Sequence, residues 1–171
     1  MRLFTVAAIA GFALAFAAPV SAAPVTVRPV SIDAELQKKF DDDYGPREIA
    51  ILQEIVVDAL ARELTRAGAT LSDNAPVRIE TTLVDVKPSK PTFHQAAARI
   101  GLDTMRSVSI GGAELRARIV NADGTTLGEV TYEWYESDLQ FSTAQTTWSD
   151  ARRAIRRFAD EVGDAYANAG S

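Results

Sequence analysis

His94 is the only histidine in the chain, and there are no cysteines. Acid–base, nucleophilic or metal chemistry would therefore have to be assembled from one imidazole, hydroxyls and carboxylates. A Ser-His-Asp hydrolase could be centred only on His94, and no Gly-x-Ser-x-Gly elbow presents a nucleophile. A zinc site would need carboxylates for most of its ligands. Asp41-Asp42-Asp43 lacks the alternating oxygen ligands and terminal glutamate of a calcium loop, and reads as a solvated run ahead of a helix. Ser109-Ile110-Gly111-Gly112 is not followed by the Lys-Ser/Thr of a phosphate loop, and reads as a bulge or a close backbone approach at the start of a strand. Glu129 and Glu133 share the outward face of a strand, away from the shelter that raises a catalytic acid's pKa. No cofactor is implied. A hydrolase using His94 is the weakest of the functional readings.

Two groups of residues suggest contact instead. Arg152, Arg153, Arg156 and Arg157 crowd one stretch, dense enough to meet an anionic lipid, a glycan phosphate or an acidic protein. The same spacing places Asp150, Asp160 and Glu161 within one turn of Arg153, Arg156 and Arg157, which would neutralise that face internally. Tyr132, Trp134, Tyr135, Phe141 and Trp148 fall close together, either as core under the helices or, if Tyr135 and Phe141 are exposed, as the rim of a peptide or glycan groove.

These residues are carried by a chain whose amino terminus reads as an export signal. Arg2 supplies the charge, Leu3 to Ala18 is apolar and small, and Val20-Ser21-Ala22 offers a cleavage site, so residues 1–22 are set aside as a signal peptide. Residues 23–171 are then one domain, periplasmic, with no span left after cleavage and no cysteine for lipid attachment. The formal net charge of −5 disfavours nucleic acid as a partner, and an anionic partner would need a local patch; the expected partner is an envelope protein or anionic envelope component, as the resemblance given below implies.

The longest periodic segment is Pro46 to Ala67. Ile49, Leu52, Val56, Ala59, Leu60 and Leu64 recur at helical spacing, Ile51 and Ile55 widen the stripe, and Gly68 is placed for a left-handed cap. Val25 to Ile32, interrupted by Pro29, predicts a first strand, with Leu36 and Phe40 in a helical turn after it. Val77 to Val86 predicts a second strand, parallel to the first across a right-handed crossover. Lys87 to Arg106 is an irregular insertion, with a short helix over Phe93 to Ile100, and is where anything specific to this protein is expected. Ala113 to Ile119 and Leu127 to Glu136 alternate apolar and polar around the turn Asn121 to Gly124, an antiparallel hairpin with Arg116 and Arg118 opposite Glu129, Thr131 or Glu133. Thr147-Trp148-Ser149-Asp150 reads as a capping box for a last amphipathic helix reaching Ala169. The expected fold is α+β: a two-layer sandwich in the order β-α-β-β-β-α, with a mixed four-stranded sheet and two long helices on one face.

In element order across Val25 to Ala169 the chain resembles small exported modules of bacterial envelopes: the amino-terminal domain of the Tol-system protein TolB, ABC-transport auxiliary lipoproteins and related exported families. The resemblance implies a non-enzymatic protein that works by contact with an envelope component. A small-ligand carrier, with an apolar pocket between sheet and insertion, is the principal alternative.

Overall fold

The computed structural model describes residues 24–139 and 146–169. The signal-peptide segment and Phe141 lie outside the described residues. Val25–Val27 (β1) and Ser31–Ile32 (β2) precede a short helix, Ala34–Lys39 (α1), which widens into a π-helical turn over Phe40–Tyr44. Arg47–Arg66 (α2) leads to Val77–Lys87 (β3), Phe93–Ala98 (α3), the hairpin Gly112–Val120 (β4) and Thr126–Tyr135 (β5), and finally Ser149–Ala169 (α4).

The sheet has five strands, not four. Pro29 has no N–H to donate and divides the first strand, yet both halves pair parallel with β3: Val25–Val27 opposite Val77–Ile79, and Ser31–Ile32 opposite Thr82–Leu83. β3, β4 and β5 continue antiparallel in the order β1-β3-β4-β5. The hairpin has the expected register, Arg116 opposite Thr131 and Arg118 opposite Glu129. Its turn closes with the Gly124 N–H donating to the Asn121 carbonyl.

α2 packs over β1 and against α4, and α4 covers β4 and β5. Both helices lie on one face, because Ile79, Leu83, Leu115 and Ile119 put that face into the core, where Leu52, Leu60, Ile155 and Phe158 are fully buried. Fully burying such a side chain contributes about 1.5–3 kcal/mol, so this layer contact dominates the stability. The helices touch at Gly163, where a Cβ would meet the Glu63 carbonyl at 3.4 Å, an ordinary contact distance. Ile51 escapes the interface and is exposed, so the apolar stripe of α2 is wider than the surface that α4 and the sheet cover.

The other face of the sheet is open and charged. Arg78 pairs with Glu80 at 2.8 Å, Arg116 with Glu114 at 2.9 Å, and Arg118 with Glu129 at 3.5 Å. Among the described residues no strand pairs with the outer side of β5.

Candidate functional site

The segment between β3 and β4, residues 88–111, is fastened at its root and apolar at its surface. Its root is a buried cluster in which the Ser89 hydroxyl donates to Asp150 Oδ2 at 2.8 Å, and the Gly111 N–H donates to the same oxygen at 3.2 Å. The Asp150 N–H donates back to Ser89 Oγ at 3.0 Å, and Ser89 and Asp150 are both inaccessible to solvent. A Cβ on Gly111 would lie 2.5 Å from Ser89 Oγ, and one on Gly112 would lie 2.3 Å from the Trp134 carbonyl. Gly112 is therefore required by close approach of the β5 backbone, the second of the two readings its sequence allowed, and Gly111 by the Ser89 and Asp150 side chains packed against it.

Asp150 consequently does not complete a capping box. Its carboxylate points inward to the insertion rather than back along its own helix, and the Ser149 hydroxyl instead accepts from the Thr146 N–H at 2.9 Å.

A second fastening joins α3 to the π-helical turn. Thr92 and Gln95 form a reciprocal capping box, which is legible as Thr-x-x-Gln. Gln95 Nε2 then donates to Asp43 Oδ2 at 2.7 Å and Arg99 to Asp43 Oδ1 at 2.6 Å. Asp43 belongs to the acidic run expected to be merely solvated. Farther out, Asp103 Oδ1 accepts from the Met105 and Arg106 N–H groups, and these backbone donors hold its pKa below the usual carboxylate value. Lys90 Nζ donates to the Met105 carbonyl at 3.0 Å.

On this framework sit Phe93, Ile100 and Met105 at 79%, 109% and 77% exposure, with Val108 at 46%. Large apolar side chains held outward by an ordered framework are the feature that most separates this segment from an ordinary connection.

His94 lies in a groove of about 450 Å³ between α3 and the start of α2, lined by Tyr44, Pro46, Ile51 and Phe93 with Glu48 at its edge. Glu48 Oε2 is already engaged, accepting from the Trp148 indole N–H at 2.7 Å. The Tyr44 phenol is pushed up to about 12 by burial and by the nearby Asp85 and Asp43 charges, so it stays protonated at neutral pH. This apolar groove lies between the insertion's helix and α2, and a second cavity of about 330 Å³ lies where the insertion meets the end of β3, lined by Lys87, Pro88, Pro91, Leu102 and Ile110. Among the described residues no three His, Asp or Glu side chains are placed to hold a metal ion.

The arginine cluster divides into two pairs. Arg153 and Arg157 turn toward β5, with their guanidinium carbons 5.3 Å and 5.9 Å from the centre of the Trp134 ring, and Arg153 also pairs with Glu136 at 3.4 Å. Arg152 and Arg156 turn toward α2 and join Arg62 and Arg66 around a groove. The expected partner of Arg156, Asp160, reaches Arg66 at 3.5 Å instead.

The aromatic residues also divide. Trp148 is buried and meets Tyr44 edge-to-face at 6.0 Å, with Phe40 extending the contact to Tyr44 at 5.7 Å. Tyr135 is half-buried, donates its hydroxyl to Asp85 Oδ2 at 2.8 Å and carries Lys87 Nζ 4.8 Å from its ring centre, so its polar end is occupied. Phe40 and Tyr44 stand some hundred positions before Trp148, a pairing that no local spacing could reveal.

The two-layer α/β arrangement has a counterpart among known structures. No family model matches the chain and no curated protein matches it. Protein XCC0632 from Xanthomonas campestris, described as DUF330, superposes with a TM-score of 0.51 at 12% identity, over 89% of this chain and 87% of that one. PelC from Paraburkholderia phytofirmans, described as a dodecamer, gives 0.49 at 12% identity over 84% and 88%. The hypothetical protein CT253 from Chlamydia trachomatis gives 0.47 at 10% identity over 84% and 97%. The fold is thus shared with the Xanthomonas protein. Among the described residues no helix is long and apolar enough to cross a membrane.

Proposed function

We propose that this chain is an exported, non-catalytic envelope protein that acts as a binding or assembly module, with residues 88–111 as its contact surface. The observation that carries the reading is the combination of Phe93, Ile100 and Met105 held outward with a root buried at Ser89 and Asp150. A preformed apolar surface loses little conformational entropy on binding, and exposed aromatic and long aliphatic side chains are what a protein partner's pocket selects. Lys90 and Arg106, neither in an ion pair among the described residues, stand among these side chains in an otherwise acidic protein, so the partner is a protein whose receiving pocket has an acidic rim. The amino-terminal signal expected from Arg2 to Ala22 supports the compartment.

Photo-reactive amino acids placed at Ile100 and Met105 in cells test this directly, with Thr131 on the open sheet face as control. One discrete protein adduct at both insertion positions, lost in a Phe93→Ser background and missing at Thr131, is the expected result. Absence of an adduct, or the same labelling at Thr131, overturns the assignment.

A further inference from the structure

The groove between α2 and α4 is a separate surface, on the outer side of the helical layer. It has a volume of about 380 Å³, with Ile55 and Ala59 as its small floor, and is walled by Arg62, Arg66, Arg152 and Arg156 around the single carboxylate of Glu63. The two arginine-bearing walls belong to helices that pack against each other, with Gly163 of α4 beside Glu63 of α2.

The charges in this groove do not cancel. Arg66 takes up both available carboxylates, Glu63 at 2.6 Å and Asp160 at 3.5 Å. Those two acids also lie within hydrogen-bonding reach of each other, which, after burial, raises the Glu63 pKa. Among the described residues no carboxylate lies within ion-pair distance of Arg62, Arg152 or Arg156. Three guanidinium groups therefore line one cleft with no carboxylate in ion-pair contact, the nearby Glu63 being bound to Arg66, on a chain whose formal net charge is −5. Unpaired cations gathered in one groove set up a local positive potential that attracts an anion, most strongly at low ionic strength.

We infer that the α2/α4 groove binds a phosphoryl group, gripped between Arg62 on one helix and Arg152 and Arg156 on the other. A carboxylate is satisfied by one guanidinium fork, whereas a phosphate offers three or four acceptor oxygens and more than one negative charge, enough for forks arriving from two walls. Arg152 and Arg156 are one turn apart on a rigid helix, so they present their donors together. The ligand is a phosphoryl-bearing molecule, either a phospholipid headgroup or a soluble phosphorylated compound. This site is independent of the insertion surface, and either assignment stands if the other fails.

The test uses the purified chain, inorganic pyrophosphate in titration calorimetry at low ionic strength, and co-sedimentation with vesicles of pure phosphatidylcholine or of phosphatidylcholine with phosphatidylglycerol. Pyrophosphate binding to the wild type is expected to weaken by roughly tenfold or more in Arg152→Ala/Arg156→Ala and to be unchanged in Arg116→Ala, which alters only the open sheet face. Glu63→Gln is expected to strengthen it severalfold. Sedimentation with phosphatidylglycerol vesicles alone, competed by pyrophosphate and lost in the double variant, identifies a lipid headgroup. Pyrophosphate binding without vesicle binding identifies a soluble ligand. Equal pyrophosphate binding by the wild type and the double variant overturns the site, as does no binding by a wild type whose thermal transition shows it to be folded. The replaced arginines are exposed, and the same melting experiment verifies that the variants fold.

Discussion

Ser89 donates its hydroxyl to the carboxylate of Asp150 at 2.8 Å across 61 residues of chain, and both side chains are cut off from solvent. This bond joins the first turn of α4 to the root of the insertion, so the helix that covers the sheet also orients the apolar surface. Asp150→Ala leaves the Ser89 hydroxyl and the Gly111 N–H buried without their acceptor, which should cost about 2–3 kcal/mol in urea unfolding. Limited proteolysis should open between residues 88 and 111 before the rest of the variant unfolds. Unfolding and cleavage identical to wild type would remove Asp150 from this role.

That bond also marks where local reading stops. The helix over Arg47–Arg66 and the hairpin were legible because burial repeats with the period of the element, and Ile79, Leu115 and Leu60 sit where the pattern put them. Pro29 marked the break in the first strand, but the strand halves' common pairing with β3 depends on the sheet. Asp150 follows Thr147 at the spacing of a capping box, yet a hydroxyl from far along the chain and a buried backbone N–H together outcompete that local bond. The arginines departed from their expected partners for a similar reason. A helical pair spaced by three or four residues contributes only about 0.2–0.5 kcal/mol, less than contact with an aromatic face and the buried acid Glu136 offers Arg153.

The two tryptophans should report their surroundings separately. Trp148 is buried, with its indole N–H bound to Glu48, whereas Trp134 is half-buried beneath two arginines. Acrylamide should therefore quench a Trp148→Phe protein, which retains Trp134, more strongly than a Trp134→Phe protein. Arg153→Ala/Arg157→Ala should raise quenching of Trp134 further and cost about 1–2 kcal/mol for the two cation–aromatic contacts. Quenching of Trp134 unaffected by the double substitution would mean that the guanidinium groups do not cover the ring.

Acid should weaken the open sheet face. The guanidinium of Arg78, bonded to Glu80, holds that carboxyl below its ordinary value, with Arg118 adding to the effect. A carboxylate whose folded pKa is depressed stabilises the fold above its unfolded pKa, and that contribution disappears as pH falls from about 4.5 through the lower folded value. The melting temperature of the wild type should thus fall more steeply below pH 4.5 than that of Glu80→Gln, and the two curves should converge at the acid end. Parallel curves would show that the Arg78 contact is electrostatically idle.

Glu63 should behave in the opposite sense. Burial, first, and the neighbouring Asp160, second, raise its folded pKa despite Arg66 at 2.6 Å. A raised carboxyl favours the protonated folded state, so its contribution is most favourable below the unfolded value near 4.5 and is lost as pH rises through the higher folded one. At pH 7 the ionised group is a local burden on the α2/α4 contact, and Glu63→Gln should raise the melting temperature there, with the gain shrinking toward pH 4. The same substitution removes the negative charge closest to Arg62, Arg152 and Arg156, so stability and anion affinity should rise together in one variant. A variant that gained affinity without gaining stability would place the strain of this groove in its arginines alone. One that gained stability without affinity would show that Glu63 does not compete for the cations that wall the cleft.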